Sequence, residues 1–364
     1  MSKEEEPPSW SPRGKEAAIL EGSLPEVISP YLLDLIKNTG GITGPIGLQF
    51  IAQIESERAN LNETNKDPLS EDENEVAPGL VYKYKSYTDE EGNFHPGRAL
   101  WTVTRNCASY CRFCTRGREV GLPKDKSTLS GGALSRVPFL GTPEIQESLQ
   151  FLANNPEINE VIISGGDPLT LKPENLELIV NSLSTLQKKG QLDIVRIGTR
   201  LPIHNPHAVK DWHYELISRL ENPRLMVHIN HSFELTPQSI AVLQNFKRGA
   251  NATIMTQSIL LKGVNDNVAA LTSLFRQIAK EGFTPYYLYQ NDPLPWAEHF
   301  TVPIEDAIKL WQKVRPLLSG VAATARFVID TPHGHGKIPV PEGNAWNIDY
   351  EEGYFDFHGV KHSI

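Results

Sequence analysis

Hydrophobic positions along the chain first change their period near residue 80. Across 17–59 they recur at helical spacing. Tyr31, Leu32, Leu35 and Ile36 share one face, and K-N-T-G-G closes that helix near Gly40. Ile46, Leu48, Phe50, Ile51 and Ile54 predict a second helix. The stretch 62–75 is polar and carries Glu63, Asp67, Glu71, Asp72, Glu73 and Glu75, which predicts an exposed, solvated connection. At 80–87 the spacing becomes alternating (L-V-Y-K-Y-K-S-Y), breaks at D-E-E-G-N, and resumes as a strand over 98–104.

From there strand and helix patterns take turns. Strands are predicted at 160–164, 193–198, 224–230, 252–257, 284–290 and 325–330. Helices are predicted near 173–189, 206–220, 236–247, 267–281 and 303–317. This alternation means parallel strands joined by crossover helices, as a partial or closed barrel or an open doubly wound sheet. The chain divides into an arm and helical extension (1–79), an α/β core (80–332) and a glycine-rich loop with a short tail (333–364). Residues 1–15 form a polar, proline-bearing arm, and Tyr354, Phe355 and Phe357 predict a strand in the tail.

In barrels of this kind the chemistry sits at the C-terminal ends of the strands, and the unusual residues fall there. After 98–104 comes R-N-C-A-S-Y-C-R-F-C-T-R, with Cys107, Cys111 and Cys114 as the only cysteines of the chain. A disulfide between two would strand the third. Three clustered thiolates suit a soft metal centre, and a [4Fe–4S] cube held by three cysteines keeps one iron for a non-protein ligand. Zinc would want a fourth ligand, and none lies in this loop. Incidental burial is the remaining reading. After 160–164 come Gly165, Gly166 and Asp167, either a plain turn or backbone open to close approach by a ligand. Thr199, His228 and Gln257 end later strands. Lys337 follows Gly334 and Gly336, and is either a solvated loop lysine or an amine able to form a Schiff base with pyridoxal phosphate.

Composition narrows the partners. Hydrophobic residues are 39% and charged residues 22%, as in a soluble globular chain, and the net charge of −9 gives no basic surplus for nucleic acid or anionic membrane. No run approaches the ~20 apolar residues of a membrane span. The acidic start, M-S-K-E-E-E-P-P, has no leader-like apolar core, so a cytoplasmic, reducing setting is expected.

The cysteine spacing, with Phe113 before the last thiol, resembles the radical SAM superfamily. I-S-P-Y-L-L-D-L-I (28–36), R-F-C-T-R (112–116), I-S-G-G-D-P-L (163–169) and R-I-G-T-R-L-P (196–202) are similar to segments of the lysine 2,3-aminomutase family. So are Q-S-I-L-L-K-G-V-N-D (257–266), P-Y-Y-L-Y-Q (285–290), E-H-F (298–300) and the G-x-G-K-x-P-V loop (334–340). The resemblance spans about residues 28–341. It implies a partial (β/α) barrel of the radical SAM type with an N-terminal helical extension.

It also implies three bound groups. Cys107, Cys111 and Cys114 would hold a [4Fe–4S] cluster. Gly165, Gly166, Asp167, Thr199, His228 and Gln257 would surround S-adenosylmethionine. Lys337 would carry pyridoxal phosphate, with Arg98 on its phosphate. Arg116 would bind the substrate carboxylate, and Asp292 and Asp330 the far ammonium of lysine, since two converging acids call for a cation. The implied reaction turns L-lysine into β-lysine, by hydrogen abstraction at C3 with a 5′-deoxyadenosyl radical and migration of the amino group. An electron donor such as flavodoxin or ferredoxin would feed it. Arginine, and less readily glutamate, are alternative substrates, and a non-catalytic iron–sulfur protein is the remote one.

The chain departs from the pattern in places. It lacks the C-terminal zinc cysteines of some members, so a homo-oligomer would have to form without that metal. His333 and His335 replace glycines beside Lys337. Residues 86–97 lengthen the connection before Arg98, where a further phosphate contact is expected.

Overall fold

The computed structural model describes residues 12, 24–60, 66–121, 140–332, 336–342, 353–355 and 360–362 of the chain. Twelve strands and ten α-helices precede the tail in the described part. In chain order they are α1 (Pro30–Asn38), α2 (Gly47–Phe50), α3 (Ile54–Arg58), β1 (Glu75–Ala77), β2 (Leu80–Tyr84), β3 (Tyr87–Thr88), β4 (Phe94–His95), β5 (Gly97–Thr102), α4 (Thr142–Asn154), β6 (Ile158–Ser164) and α5 (Pro173–Lys188). Then follow β7 (Ile194–Thr199), α6 (Leu201–His204), α7 (Asp211–Ile217), β8 (Arg224–His228), α8 (Pro237–Gly249), β9 (Thr253–Leu260), α9 (Val268–Lys280), β10 (Thr284–Gln290), α10 (Ile304–Val314), β11 (Arg326–Asp330) and β12 (Lys337–Pro339).

Ten of the strands form one sheet in the order β1-β2-β5-β6-β7-β8-β9-β10-β11-β12. Pairings from β5 through β11 are all parallel. β1 and β2 add antiparallel strands at one edge, and β12 returns antiparallel along β11 at the other. The linear order makes this a partial barrel. Its sheet begins at Glu75 and ends at Pro339, so it takes in residues on both sides of the expected boundaries at 80 and 332.

The crossover helices bury one stripe each. In α9, Leu271, Leu274, Phe275 and Ile278 recur at helical spacing and are fully buried, and the Asn267 side chain accepts the Ala270 N–H at the N-terminus. Each such side chain contributes roughly 1.5–3 kcal/mol by leaving water. The strands alternate. Along β9, Ile254, Thr256, Ser258 and Leu260 are buried on one face. Gln257 and Ile259 point the other way, into the concave side.

Four expectations need correction. The second predicted helix is two short ones, because Ile51 is extended (φ −88°, ψ 132°). Buried carboxylates satisfy the freed backbone there, Glu26 accepting from Ala52 and Glu57 from Gln53. The helix expected at 206–220 is a 3₁₀ turn at Pro206–Ala208 followed by α7, and the short α6 precedes them. Extended backbone at Val209 (φ −73°, ψ 129°) and Lys210 (φ −119°, ψ 163°) separates the turn from α7. Asn205, forced out of helical space by the following proline, sits at φ −154°, ψ 65°. Lys337 opens strand β12 rather than riding on a loop. The acidic stretch before β1 is not exposed throughout either, since Glu71 is buried while Glu73 is exposed. In the tail, Tyr354–Phe355 pairs with Lys361–His362, while Phe357, His333, His335 and the 1–11 part of the arm lie outside the described residues. Residues 86–97 fold back as the β3–β4 hairpin.

The helical extension grips the cysteine loop through Arg112. Its guanidinium has no solvent access, pairs with Glu57 at 2.7 and 2.5 Å, and donates to the carbonyls of Pro25 and Leu24 at 2.9 and 3.0 Å. Breaking a buried pair strands one charge, which costs about 3–5 kcal/mol. Glu57→Ala is therefore expected to lose about that much stability in urea unfolding. Glu57→Leu combined with Arg112→Met should recover the part due to the stranded charge, but not the hydrogen bonds to Gln53 N, Leu24 O and Pro25 O. A loss of only ~1 kcal/mol, the size of a surface pair, would show that the pair does not hold the loop.

Candidate functional site

A cavity of about 510 Å³ opens at the C-terminal ends of the parallel strands, within the usual size for a small-molecule site. Every residue singled out from the sequence lines it: Cys107, Cys111, Cys114, Gly165, Gly166, Asp167, Thr199, His228 and Gln257 on one side, with Arg98, Arg116, Asp292, Asp330 and Lys337.

The cysteine loop is fixed from several directions. Arg112 N donates to Gln49 O at 2.9 Å, and Trp296 Nε1 donates to Cys114 O at 3.1 Å. A Cβ on Gly117 would stand 2.7 Å from the buried Trp296 ring, so only glycine fits there. Cys111 lies between two apolar clusters, one with Phe113, Trp296 and Phe300, the other with Leu32, Ile36 and Phe50. Arg200 Nη1 donates to Cys111 Sγ at 2.8 Å, and its Nη2 is held by Gln49 and Glu234 at 2.5 and 2.8 Å. Burial, more than the neighbouring charges, pushes the Cys107 thiol well above its ordinary range and the Cys114 thiol up to about 12. Thiolates at these positions therefore require a cation among them. Among the described residues no three His, Cys, Asp or Glu side chains converge on a single metal ion. A cube holds its cysteines on different irons, so three thiols around one cavity suit it better than zinc.

The glycines of 165–166 line the cavity and also let the chain approach itself closely. Gly165 has φ +135°, and a Cβ there would lie 2.2 Å from Thr104 O; on Gly166 it would lie 2.2 Å from Asn106 O. The backbone that approaches so closely is the cysteine loop itself. Gly166 N donates to Thr104 O at 2.5 Å and Asp167 N to Asn106 O at 2.8 Å. The Asp167 carboxylate is buried and accepts from Thr199 Oγ1, Arg200 N, Leu201 N and Leu169 N. Asp167 and Thr199 thus tie the ends of β6 and β7 together. His228 Nε2 bonds Asn230 Oδ1 at 3.0 Å, and burial, with Arg200 nearby, lowers its pKa to about 3, so the imidazole is neutral. Gln257 Nε2 donates to Tyr289 OH at 2.9 Å.

The other half of the cavity is ionic. β12 pairs with β11 in the register that sets Lys337 opposite Asp330, and Lys337 Nζ meets Asp330 Oδ2 at 2.8 Å. The ammonium also lies 5.4 Å from the Tyr289 ring centre. Asp292 is raised to about 7, by burial first and then by Asp330. Arg98 is exposed and stacks its guanidinium 4.3 Å from the Tyr84 ring centre. Arg116 is engaged by Glu71, Nε to Oε2 at 3.0 Å and Nη2 to Oε1 at 2.7 Å.

Sequence reasoning missed several lining residues. Glu71 was counted among solvated acids. Lys83 was taken only as part of a strand, yet its Nζ donates to Leu69 O and Thr331 O at 3.0 and 2.8 Å, and burial lowers its pKa. Tyr286, Tyr287 and Tyr289, in the P-Y-Y-L-Y-Q segment, also line the cavity. The available signal was that Lys83 stands two residues from Val81, on the same face of β2, and both line the cavity.

No family model matches the chain. It is 32% identical over 321 residues to L-lysine 2,3-aminomutase of Clostridium subterminale, covering 87% of this chain and 69% of that protein. Identity is also 32% to L-lysine 2,3-aminomutase of Methanococcus maripaludis, over 87% of this chain and 66% of the relative. Glutamate 2,3-aminomutase of Clostridioides difficile is 29% identical over 86% of this chain and 67% of its own length. The chain thus spans about two thirds of the length of these relatives. A radical SAM methyltransferase from Sphaerobacter thermophilus matches at TM-score 0.44 and 15% identity, over 68% of this chain and 73% of that one.

The raised Asp292 pKa has a measurable consequence. Its folded value of about 7 exceeds the ordinary 3.8. Between these values the folded chain holds a proton that the unfolded chain has lost, so stability falls as pH rises through that window. Asp292→Asn removes this contribution. The unfolding free energy of the variant should decline less steeply between about pH 4 and 7, by up to about one proton's worth of slope. Equal slopes would show that Asp292 ionises as readily as an exposed acid.

Proposed function

The chain belongs to the lysine 2,3-aminomutase family, and from that premise we infer that it is a radical SAM isomerase moving the α-amino group of L-lysine to C3. The observation that carries lysine as substrate is the acidic pair in the cavity. Asp292 is driven toward neutrality by burial and by Asp330, and Asp330 holds the Lys337 ammonium. Committing the Lys337 amine to pyridoxal phosphate withdraws that cation, and a substrate with a distal ammonium restores it.

The residues present fit the groups this reading needs. Cys107, Cys111 and Cys114 would hold a [4Fe–4S] cluster, with Gly165, Gly166, Asp167, Thr199, His228 and Gln257 around S-adenosylmethionine. Lys337 would hold pyridoxal phosphate, with Arg98 on its phosphate. When bound, these groups supply an electron, a carbon radical able to take hydrogen from C3, and an electron-delocalising ring. The chain's own part is placement. Arg116 offers a planar fork to the α-carboxylate, the two aspartates fix the far end, and the substrate carbon chain is thereby stretched across the cavity. Phe113, Tyr287 and Ile259 give that space an apolar wall, which keeps water from reactive carbon. His228, neutral through burial, adds a polar group without a charge. The reducing electron would come from a small carrier such as flavodoxin or ferredoxin, in a cytoplasmic setting. No helix among the described residues is long and apolar enough to cross a membrane.

The test is turnover without oxygen, with iron, sulfide, pyridoxal phosphate, S-adenosylmethionine and a reductant supplied. Lysine, arginine and glutamate are offered separately. Lysine should give a β-amino product, Lys337→Ala should give none, and Cys107→Ala should lose the iron absorbance. Preference for glutamate would overturn the acidic-pair argument, and preference for the equally cationic arginine would overturn lysine alone; either leaves the reaction class intact. Cleavage of S-adenosylmethionine with no amine moved from any of the three would overturn the aminomutase reading.

A further inference from the structure

Arg116 is the residue assigned to the substrate carboxylate, and both of its best-placed donors are already taken. Glu71 covers Nε and Nη2 at 3.0 and 2.7 Å, the two-point geometry a bound carboxylate would adopt, while Nη1 reaches Ser164 Oγ at 3.4 Å. Glu71 lies 45 residues upstream and belongs to the polar segment before β1. The residue before it, Ser70, sits at φ +53°, a left-handed conformation uncommon for a side chain of this kind. Such backbone persists where surrounding contacts impose it. Here they are Ser70 N to Asp67 O at 3.1 Å, Asn74 Nδ2 to Ser70 O at 2.7 Å and the Glu71–Arg116 pair.

We propose that Glu71 is a placeholder carboxylate: it holds the Arg116 fork until the α-carboxylate of an incoming amino acid displaces it and frees the 67–74 segment. The inference rests on the reading of Arg116 given above. A displaced Glu71 finds little welcome nearby. The next guanidinium, Arg118, already has Asp67, Asp72 and Glu119 within 3.3, 3.0 and 3.2 Å, with Glu71 itself at 3.9 Å. Repulsion among these acids sends the carboxylate outward and the strained backbone with it. Lys83 links this movement to the other end of the site, since one ammonium binds both Leu69 O and Thr331 O, next to Asp330. Arrival of a carboxylate at Arg116 therefore loosens a contact beside the Lys337–Asp330 pair. The device also selects. A ligand with the same amines but no carboxylate cannot release the segment.

Equilibrium dialysis and amide hydrogen exchange on the full chain with pyridoxal phosphate test this. L-lysine is compared with 1,5-diaminopentane, which lacks the carboxylate, in wild type, Glu71→Gln and Glu71→Ala. If Glu71 holds the fork in about nine molecules of ten, removing it tightens lysine binding about tenfold. 1,5-Diaminopentane affinity should not change. In wild type, amides of 66–75 should exchange faster with lysine and not with the diamine. This second readout needs no variant, so a poorly folded substitution cannot obscure it. Unchanged or weaker lysine binding in both variants, or unchanged exchange in wild type, overturns the placeholder, as does failure of lysine to bind any form. β-Amino product formed without release of the segment sinks the placeholder alone. Carboxylate-dependent release with no product from any amino acid sinks the aminomutase reading alone.

Discussion

The site depends on a charge with no access to water. Arg112 stands between the second and third cysteines, and its guanidinium is spent on Glu57 and on the carbonyls of Leu24 and Pro25. The cysteine loop has no regular secondary structure to stiffen it. A buried guanidinium is confined to the one place where all its donors are met, so the loop is held wherever Arg112 is held. This gives the N-terminal extension its purpose. It is a scaffold for the loop that follows the first parallel strand, and Gln49 doubles the role by accepting from both Arg112 N and Arg200 Nη2.

A second constraint acts at the backbone. The glycines at 165 and 166 let the end of β6 lie against 104–106, and the Asp167 carboxylate then gathers the start of the turn after β7. Three strand ends are thereby locked in sequence, and with them the thiols, Thr199 and Arg200. None of this needs a ligand. The same glycines that suggest close approach to a small molecule are first required by the chain's approach to itself.

Much of the fold was legible because it follows from period. Alternation in β9 and the one-sided stripe of α9 are direct consequences of strand and helix geometry, and the parallel order follows from the helices between strands. The breaks were harder to see. Ile51 leaves helical space for the sake of Glu26 and Glu57, which are distant partners that no local pattern announces. The site was legible as a roster, since every nominated residue reaches one cavity. What each touches was not. Glu71 reads as one acid among six neighbours, and only the fold brings Arg116 to it. Lys337 reads as a loop residue because its strand is three residues long and edge-placed.

The cavity's ionic pairs share a logic. Lys337 neutralises Asp330, and Glu71 neutralises Arg116. In each, one member is a group that the proposed reaction must use and the other is a substitute for what the reaction brings. An ammonium on Asp330 stands where a substrate ammonium would go, and a carboxylate on Arg116 stands where a substrate carboxylate would go. These groups are partly buried, so each charge gains from a partner, and the folded chain supplies one from itself. Once pyridoxal phosphate holds Lys337, a zwitterion with a second amine would take the place Lys337 left on Asp330 and the place Glu71 holds on Arg116. Both ends of the cavity then stay balanced. An amine or an acid alone can take only one of those places.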